Sequence, residues 1–177
     1  ANVSFLNIGP NRTTETDLPM RDNSEAVRVI GSFNSESKFI DARTGRETSV
    51  LLTAGRGYFV VGLVGVGQEP TDHALKDIAA KAAELEQWGR SIILLFPDET
   101  AYAKYAASPA ASLPQTVTFG IDRDGSVRRQ ILDAMHLPGN APLPVFLIGD
   151  TFNRVVFESH GYTIGLGDRF LHTIHQL

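Results

Sequence analysis

One acidic, histidine-bearing stretch offers the clearest candidates for chemistry in this sequence. Glu69 and His73 are four residues apart, and Asp72 is adjacent to the histidine. On the first turn of a helix, Glu69 and His73 would share a face, where a carboxylate and an imidazole can serve as an acid–base pair or as two metal ligands. Two ligands alone are too few for a closed metal site.

A structural role explains most of the same stretch without any cofactor. Acidic and hydroxyl side chains at a helix start accept hydrogen bonds from free N–H groups and offset the helix dipole. Glu69, Thr71 and Asp72 would then cap the helix, and only His73 would lack a role. This interpretation predicts no metal and no other cofactor.

The other histidines suggest less chemistry. His160 follows a predicted hairpin, and with Asp150 it could form part of a Ser-His-Asp arrangement. The sequence has no Gly-x-Ser-x-Gly turn that would expose a serine nucleophile, which argues against a hydrolase of that kind. His136, His172 and His175 are expected on helix surfaces.

The chain of 177 residues contains no cysteine. Thiol–disulfide exchange and thiol-based peroxide reduction both proceed through a thiolate. Both activities are therefore excluded for this chain acting alone, and disulfides and cysteine metal sites are excluded with them.

Composition limits the partners. The 16 basic and 20 acidic residues give a net charge of -4 with no run of Lys or Arg, so we expect neither nucleic acid nor an anionic membrane as a partner. No apolar stretch approaches the ~20 residues that a membrane-spanning helix needs. The chain begins at Ala1 rather than Met, which suggests a processed protein or a fragment.

The secondary structure predicted to position these residues changes near residue 57, from short strands to alternating strands and helices. We expect residues 1–25 to form an arm or linker. We expect residues 26–56 to form a small antiparallel β extension, because short β-like runs alternate with turn residues in that segment. The predicted strands of the extension are Val27–Ile30, Lys38–Ile40 and Ser49–Leu52.

From residue 57 to residue 177 the pattern predicts one α/β domain. Apolar runs typical of buried strands alternate with segments that have helical apolar spacing. Pro70 suits the first turn of the first helix, which should run to about Trp88. The predicted strands are 59–64, 92–96, 117–120, 144–148 and 155–157, the last two forming a hairpin before a terminal helix.

This order of elements resembles the thioredoxin-like superfamily, especially its peroxiredoxin and TlpA-type branches, over about two thirds of the chain. The resemblance implies a mixed central sheet flanked by helices. It also implies that Leu143–Pro144, which enters a strand, has the cis proline that stands beside the active site in that family. In redox-active members a cysteine opens the first helix, where this chain has Glu69–Asp72.

Several stretches are also similar to thioredoxin-like domains attached to transglutaminase-like proteins of bacterial cell envelopes. These stretches are Thr53–Tyr58, Gln68–Ile78 and Phe152–Gly165. The similarity implies an extracytoplasmic domain released from a longer polypeptide, with any catalysis residing elsewhere.

Two hypotheses of function follow. In the first, the domain is a non-catalytic accessory module that binds a partner protein, a peptide or the rest of its own polypeptide. Its binding surface would comprise Glu69, Thr71, Asp72, His73, Leu143 and Pro144. In the second, Glu69, Asp72 and His73, with His160, form a cryptic catalytic or metal-binding site at the same place.

Overall fold

Eight strands form one mixed β-sheet in the part of the chain that the structure describes. The computed structural model describes residues 28–65, 68–107, 112–161, 163 and 165–177. Its strands are β1 (Gly31–Ser32), β2 (Lys38–Asp41), β3 (Glu47–Ser49), β4 (Tyr58–Leu63), β5 (Ile92–Phe96), β6 (Val117–Ile121), β7 (Val145–Asp150) and β8 (Arg154–His160). Its helices are α1 (Val50–Ala54), α2 (Glu69–Ala80), α3 (Ala82–Trp88), α4 (Glu99–Ala107), α5 (Ser126–Ala134) and α6 (Leu166–Ile174).

The strand order across the sheet is β1-β8-β7-β4-β5-β6-β2-β3. Strands β4, β5 and β6 are parallel to one another, whereas β7 is antiparallel to β4 and β8 is antiparallel to β7. All three parallel strands therefore end at the same edge of the sheet. We call it the carboxyl edge.

Helices cover both faces of the sheet, which explains why its central strands are apolar throughout. Every residue of β5 is buried. One face of the sheet packs against α2, α3, α4 and α6, with Leu75, Leu85 and Phe170 in its core. The other face packs against α1 and α5, with Val50 and Ile131 in its core.

The predicted β extension is partly confirmed. Strand β2 covers the predicted Lys38–Ile40 and is antiparallel to β3. The predicted strand Val27–Ile30 is wrong for Arg28–Ile30, which are not part of a strand, and Val27 lies outside the described residues. Residues Val29–His175 form one compact unit, and the boundaries after residues 25 and 56 stay predictions.

The predicted strand Ser49–Leu52 is wrong beyond Ser49, because a short helix begins there. The Ser49 hydroxyl accepts a hydrogen bond from the Leu52 N–H at 3.1 Å, which caps α1. Val50 is fully buried, whereas the side chain of Leu52 is 78% exposed. Of this apolar run, Val50 is therefore buried at the start of a helix, and the run does not form one face of a strand.

Two predicted helices end earlier than expected. The helix predicted to run from Pro70 to Trp88 is interrupted at Lys81, where α2 ends and α3 begins. The apolar spacing predicts a helix from Ser126 to Leu137, but α5 ends at Ala134, and the following turn contains His136 with a φ of 56°. Gly89 ends α3 in the left-handed conformation that glycine adopts readily at helix ends.

Helix α2, which carries most of the candidate residues, is fixed against α6. The Asp77 carboxylate accepts a hydrogen bond from the Leu166 N–H at 3.2 Å, and Lys81 pairs with Asp168 at 3.1 Å. A Cβ atom on Gly167 would lie 2.6 Å from the Asp77 carbonyl oxygen, so only glycine allows this approach. Within the described residues, no helix is long and apolar enough to cross a membrane.

Candidate functional site

The loop between β4 and α2 is closed by two side chains at the start of the helix. Thr71, which is 2% exposed, accepts a hydrogen bond from the Gly65 N–H at 3.2 Å. The Gln68 side chain also lies over this glycine, because a Cβ on Gly65 would be 2.7 Å from its Oε1 atom. Side chains 68 and 71 therefore converge on Gly65.

The predicted capping of α2 is only partly right. Gln68 is the N-cap residue, and no side-chain hydrogen bond caps the helix. Thr71 faces inward and bonds to the loop instead, so its hydroxyl is not available to the helix end. Glu69 and Asp72 are exposed in the first turn, where their charge offsets the helix dipole.

His73 is oriented towards the next turn of α2. Its Nε2 atom lies 3.6 Å from Oδ2 of Asp77, the carboxylate that also binds the start of α6. Among the described residues, no three His, Asp or Glu side chains lie close enough together to hold a metal ion. Glu69, Asp72 and His73 thus share a helix start without forming a ligand cluster.

Leu143 and Pro144 lie at the same edge of the sheet as the loop to α2. The Leu143–Pro144 peptide bond is cis, which confirms the prediction. The next residue, Val145, pairs with Leu63 at the end of β4. The structure therefore brings the two parts of the predicted binding surface to the carboxyl edge.

The Ser-His-Asp alternative is wrong. His160 ends β8 and pairs with Val145 at the first residue of β7, whereas Asp150 is the last residue of the same strand. At ~3.4 Å per residue, these two positions are roughly 17 Å apart. The Asp150 carboxylate instead binds the guanidinium of Arg154 at 2.8 Å and closes the hairpin turn.

A cavity of about 260 Å³ opens at the carboxyl edge, where ligand sites of α/β sheets commonly lie. We call it the edge cavity. Its apolar wall comprises Leu63, Val64, Leu95, Phe96, Pro97 and Leu143, and its polar wall comprises Asp122, Arg123, Asp124, Gly125 and Arg128. Leu143 alone among the six predicted site residues lines it.

Asp122 is a buried carboxylate in the polar wall that the sequence patterns did not predict. The residue is 5% exposed, and its two oxygens accept hydrogen bonds from the N–H groups of Val127 at 3.1 Å and Arg128 at 2.8 Å. It thereby caps α5. A carboxylate directly after a buried strand and shortly before a helix start is the sequence signal that could have identified it.

The two arginines of the polar wall are fixed by neighbouring groups. Arg123 pairs with Glu99 at the start of α4. Arg128 donates a hydrogen bond from Nη2 to the Gly139 carbonyl oxygen at 2.8 Å. The edge cavity thus combines an apolar wall with fixed charges of both signs, an arrangement that suits an apolar group with a polar flank.

The burial of Asp122 should make stability fall with rising pH. Burial raises the pKa of Asp122, although its backbone hydrogen bonds act in the opposite direction. Because the folded-state pKa exceeds the unfolded value of ~3.8, folded Asp122 binds its proton more tightly, and ionisation above that pH weakens the fold. We expect the stability of wild-type protein relative to Asp122→Asn to decrease between pH 3 and pH 7 in urea unfolding.

Asp124 provides the control of opposite sign. The Ser126 N–H, and next its hydroxyl, lower the pKa of Asp124. Its contribution is therefore present above its unfolded pKa and lost as the pH falls through the folded value. A wild-type stability that rises with pH relative to Asp122→Asn would contradict our assignment for Asp122.

No protein family and no curated protein matches the sequence. Solved structures do match the fold. Peroxidoxin BcpB from Mycobacterium tuberculosis is 14% identical with a TM-score of 0.64, over 84% of this chain and 97% of its own. BsSco, of the Sco family of cytochrome c oxidase assembly proteins, is 12% identical with a TM-score of 0.61, over 85% and 96%.

A third structure is the Chlorobium tepidum protein named as thiol:disulfide interchange protein DsbE. It is 15% identical with a TM-score of 0.59, over 81% of this chain and 95% of its own. These identities are low, so the likeness concerns the fold. The chain therefore has the thioredoxin-like fold, and it has this fold without a single cysteine.

Proposed function

We propose that this protein is a non-catalytic thioredoxin-like module that binds a partner protein, a peptide or another part of its own polypeptide. The observation that carries the proposal is the start of α2. Gln68 and Thr71 occupy the helix start with no thiol between them, and the Thr71 hydroxyl is bonded to Gly65. The scaffold is kept while the group that would react is absent, which favours recognition over catalysis.

Of the features at the carboxyl edge, the edge cavity is the one best suited to recognition, and it includes Leu143 of the predicted binding surface. Its volume of about 260 Å³ lies below the range of typical drug-sized ligand sites and suits one large apolar side chain. Leu63, Val64 and Leu143 would contact that side chain. Arg123 and Asp122 would face polar groups on either side of it, so a peptide segment fits the cavity better than a purely apolar molecule.

We further propose that the module is extracytoplasmic and belongs to a longer polypeptide. This rests on the similarity of Thr53–Tyr58, Gln68–Ile78 and Phe152–Gly165 to domains attached to transglutaminase-like envelope proteins. Fractionation of the native host cells, with the protein detected by antibody, tests the location. Recovery with cytoplasmic markers would refute it.

Peptide selection tests the binding function. We expect a displayed random-peptide library to yield ligands that have one apolar anchor residue. Bound to the protein, these ligands should slow hydrogen exchange of the backbone amides that line the edge cavity. Leu143→Glu places a charge in the apolar wall, so binding of those peptides should weaken by about a hundredfold. Leu52→Glu is the matched control, because Leu52 is 78% exposed and lies outside the edge cavity.

Two outcomes would contradict this proposal. Peptides that bind Leu143→Glu as tightly as wild-type protein, with unchanged circular dichroism, would show that the edge cavity is not the binding site. Stoichiometric zinc on the purified protein, lost in His73→Ala, would instead support the cryptic metal-binding alternative.

A further inference from the structure

A second cavity is lined by residues of α4, of β6 and of the turn after β2. It has a volume of about 410 Å³ and shares no lining residue with the edge cavity. We call it the aromatic cavity. It is lined by Arg43, Tyr102, Tyr105, Ala106, Leu113, Pro114, Gln115, Val117 and Phe119. Its size falls in the range of small-molecule sites.

Three aromatic rings form its wall. The ring centroids of Tyr102 and Tyr105 lie 5.8 Å and 5.4 Å from that of Phe119. Buried Phe96 packs behind them, with its centroid 5.5 Å from each tyrosine ring. Because this ring cluster is anchored in the core, it offers a preformed surface on which a flat ring can stack.

One cation, Arg43, lines this cavity. The Arg43 guanidinium lies 5.8 Å from the centroid of the Phe119 ring. The turn that carries it is fixed, because the Ala42 N–H donates to the Phe119 carbonyl oxygen at 2.9 Å and the Arg43 N–H donates to Asp41 at 2.8 Å. The backbone of Arg43 is therefore held in place by hydrogen bonds to residues of β2 and β6.

Arg43 differs from three cations of the described fold that pair with carboxylates. Lys81, Arg123 and Arg154 each form an ion pair with a carboxylate. Within the described residues, no acidic side chain pairs with Arg43. The Arg43 guanidinium can therefore donate two hydrogen bonds to the carboxylate of a bound ligand, in the bidentate geometry that arginine favours.

The tyrosines add hydrogen-bond donors. Neither the Tyr102 nor the Tyr105 phenol forms a hydrogen bond with another described residue. Burial, and next the neighbouring Tyr102, raise the pKa of the Tyr105 phenol, so it keeps its proton at neutral pH. Ring surface, donors and a positive charge thus converge on one space.

We propose that the aromatic cavity binds a small aromatic carboxylate, whose ring stacks on Phe119 and Tyr105 while its carboxylate pairs with Arg43. The class follows from complementarity of shape and charge. An aliphatic acid would lose the stacking contact, and a neutral arene would lose the ion pair. This site is independent of the peptide-binding function proposed for the edge cavity.

Naphthoate is the probe for this site. Titrated into the full chain, it should shift the backbone amide resonances of β6 and α4 in nitrogen–proton correlation spectra. Arg43→Gln should weaken binding by about tenfold, because a charge-assisted contact to a carboxylate is lost. Arg46→Gln is the matched control, since Arg46 is an exposed arginine in the same turn that does not line the cavity.

Two further probes separate the components of recognition. Naphthalenemethanol, which lacks the charge, should bind wild-type protein about as weakly as naphthoate binds Arg43→Gln. Cyclohexanecarboxylate, which lacks the aromatic ring, should bind several-fold more weakly than naphthoate. Unshifted β6 and α4 amides, or equal affinity of naphthoate for wild-type protein and Arg43→Gln, would overturn the proposal.

Discussion

A Gln68→Cys/Thr71→Cys variant should acquire a disulfide and measurable thiol–disulfide exchange. Both native side chains lie against Gly65, so thiols at these positions should be close enough to bond. The N-terminal end of α2 stabilises a thiolate, so the pKa of the exposed thiol at position 68 should fall from ~8.5 to about 7.5 or lower. Alkylation rate against pH gives this pKa, and insulin reduction gives the activity.

The acidic first turn of α2 limits this gain. Glu69 and Asp72 place negative charge beside the new thiolate and raise its pKa. Adding Glu69→Gln should therefore lower the pKa of the thiol further. A lower thiol pKa in the triple variant would show that the Glu69 carboxylate, and not only the exposure of the sulfur, sets the thiol pKa.

The matched control has the same spacing at the other end of a helix. His172→Cys/His175→Cys places two thiols three residues apart at the C-terminus of α6, where the dipole disfavours a thiolate. Its thiols should titrate at or above ~8.5. Equal thiol pKa values and equal insulin reduction in the two double variants would show that the start of α2 has no special capacity for redox chemistry.

Phe170→Ala should lower the free energy of unfolding by about 3–5 kcal/mol, the largest stability loss we expect for a single truncation. Phe170 is fully buried in α6. Its ring packs edge-to-face on Phe146 and Phe157, with centroids 5.6 Å and 5.3 Å apart. Removal leaves a cavity between α6 and the hairpin of β7 and β8. Urea unfolding monitored by circular dichroism measures the loss.

Phe152→Ala is the matched control for this truncation. Phe152 is 77% exposed in the hairpin turn, and its main contact is the Arg154 guanidinium, 5.4 Å from the ring centroid. The same chemical change should therefore alter stability by no more than about 0.5 kcal/mol. Similar losses in the two variants would mean that Phe170 is not an anchor of the core.

The central strands could be predicted because burial on both faces leaves no alternative to a continuous apolar run. Strands β4, β5 and β7 all appear in the sequence as such runs. Turn residues connect β7 to β8 and predict the hairpin. Val50–Leu52 has a similar composition and nevertheless forms a helix. The difference lies in long-range bonds, since the N–H groups of Val50 and Leu51 donate to Ser37 and Ser35.

The candidate site also has a part that could be predicted from the sequence and a part that could not. The start of α2 and Pro144 could be placed together because the resemblance to the thioredoxin-like superfamily implies a cis proline beside the start of the first helix, and the pairing of Val145 with Leu63 agrees. The edge cavity could not, because Leu63, Asp122 and Leu143 are far apart in sequence and each suits a structural role alone. Arg43 and Tyr105 of the aromatic cavity were missed for the same reason.

The short outer strands of the sheet also bear on how molecules of this protein behave at high concentration. Strand β1 has two residues and β3 has three. Long flat edge strands template further strands from other chains, which leads to fibrils and strand exchange. Edges this short offer few backbone groups for such templating, so strand addition at the edges of the described sheet is disfavoured and recognition is left to side-chain cavities.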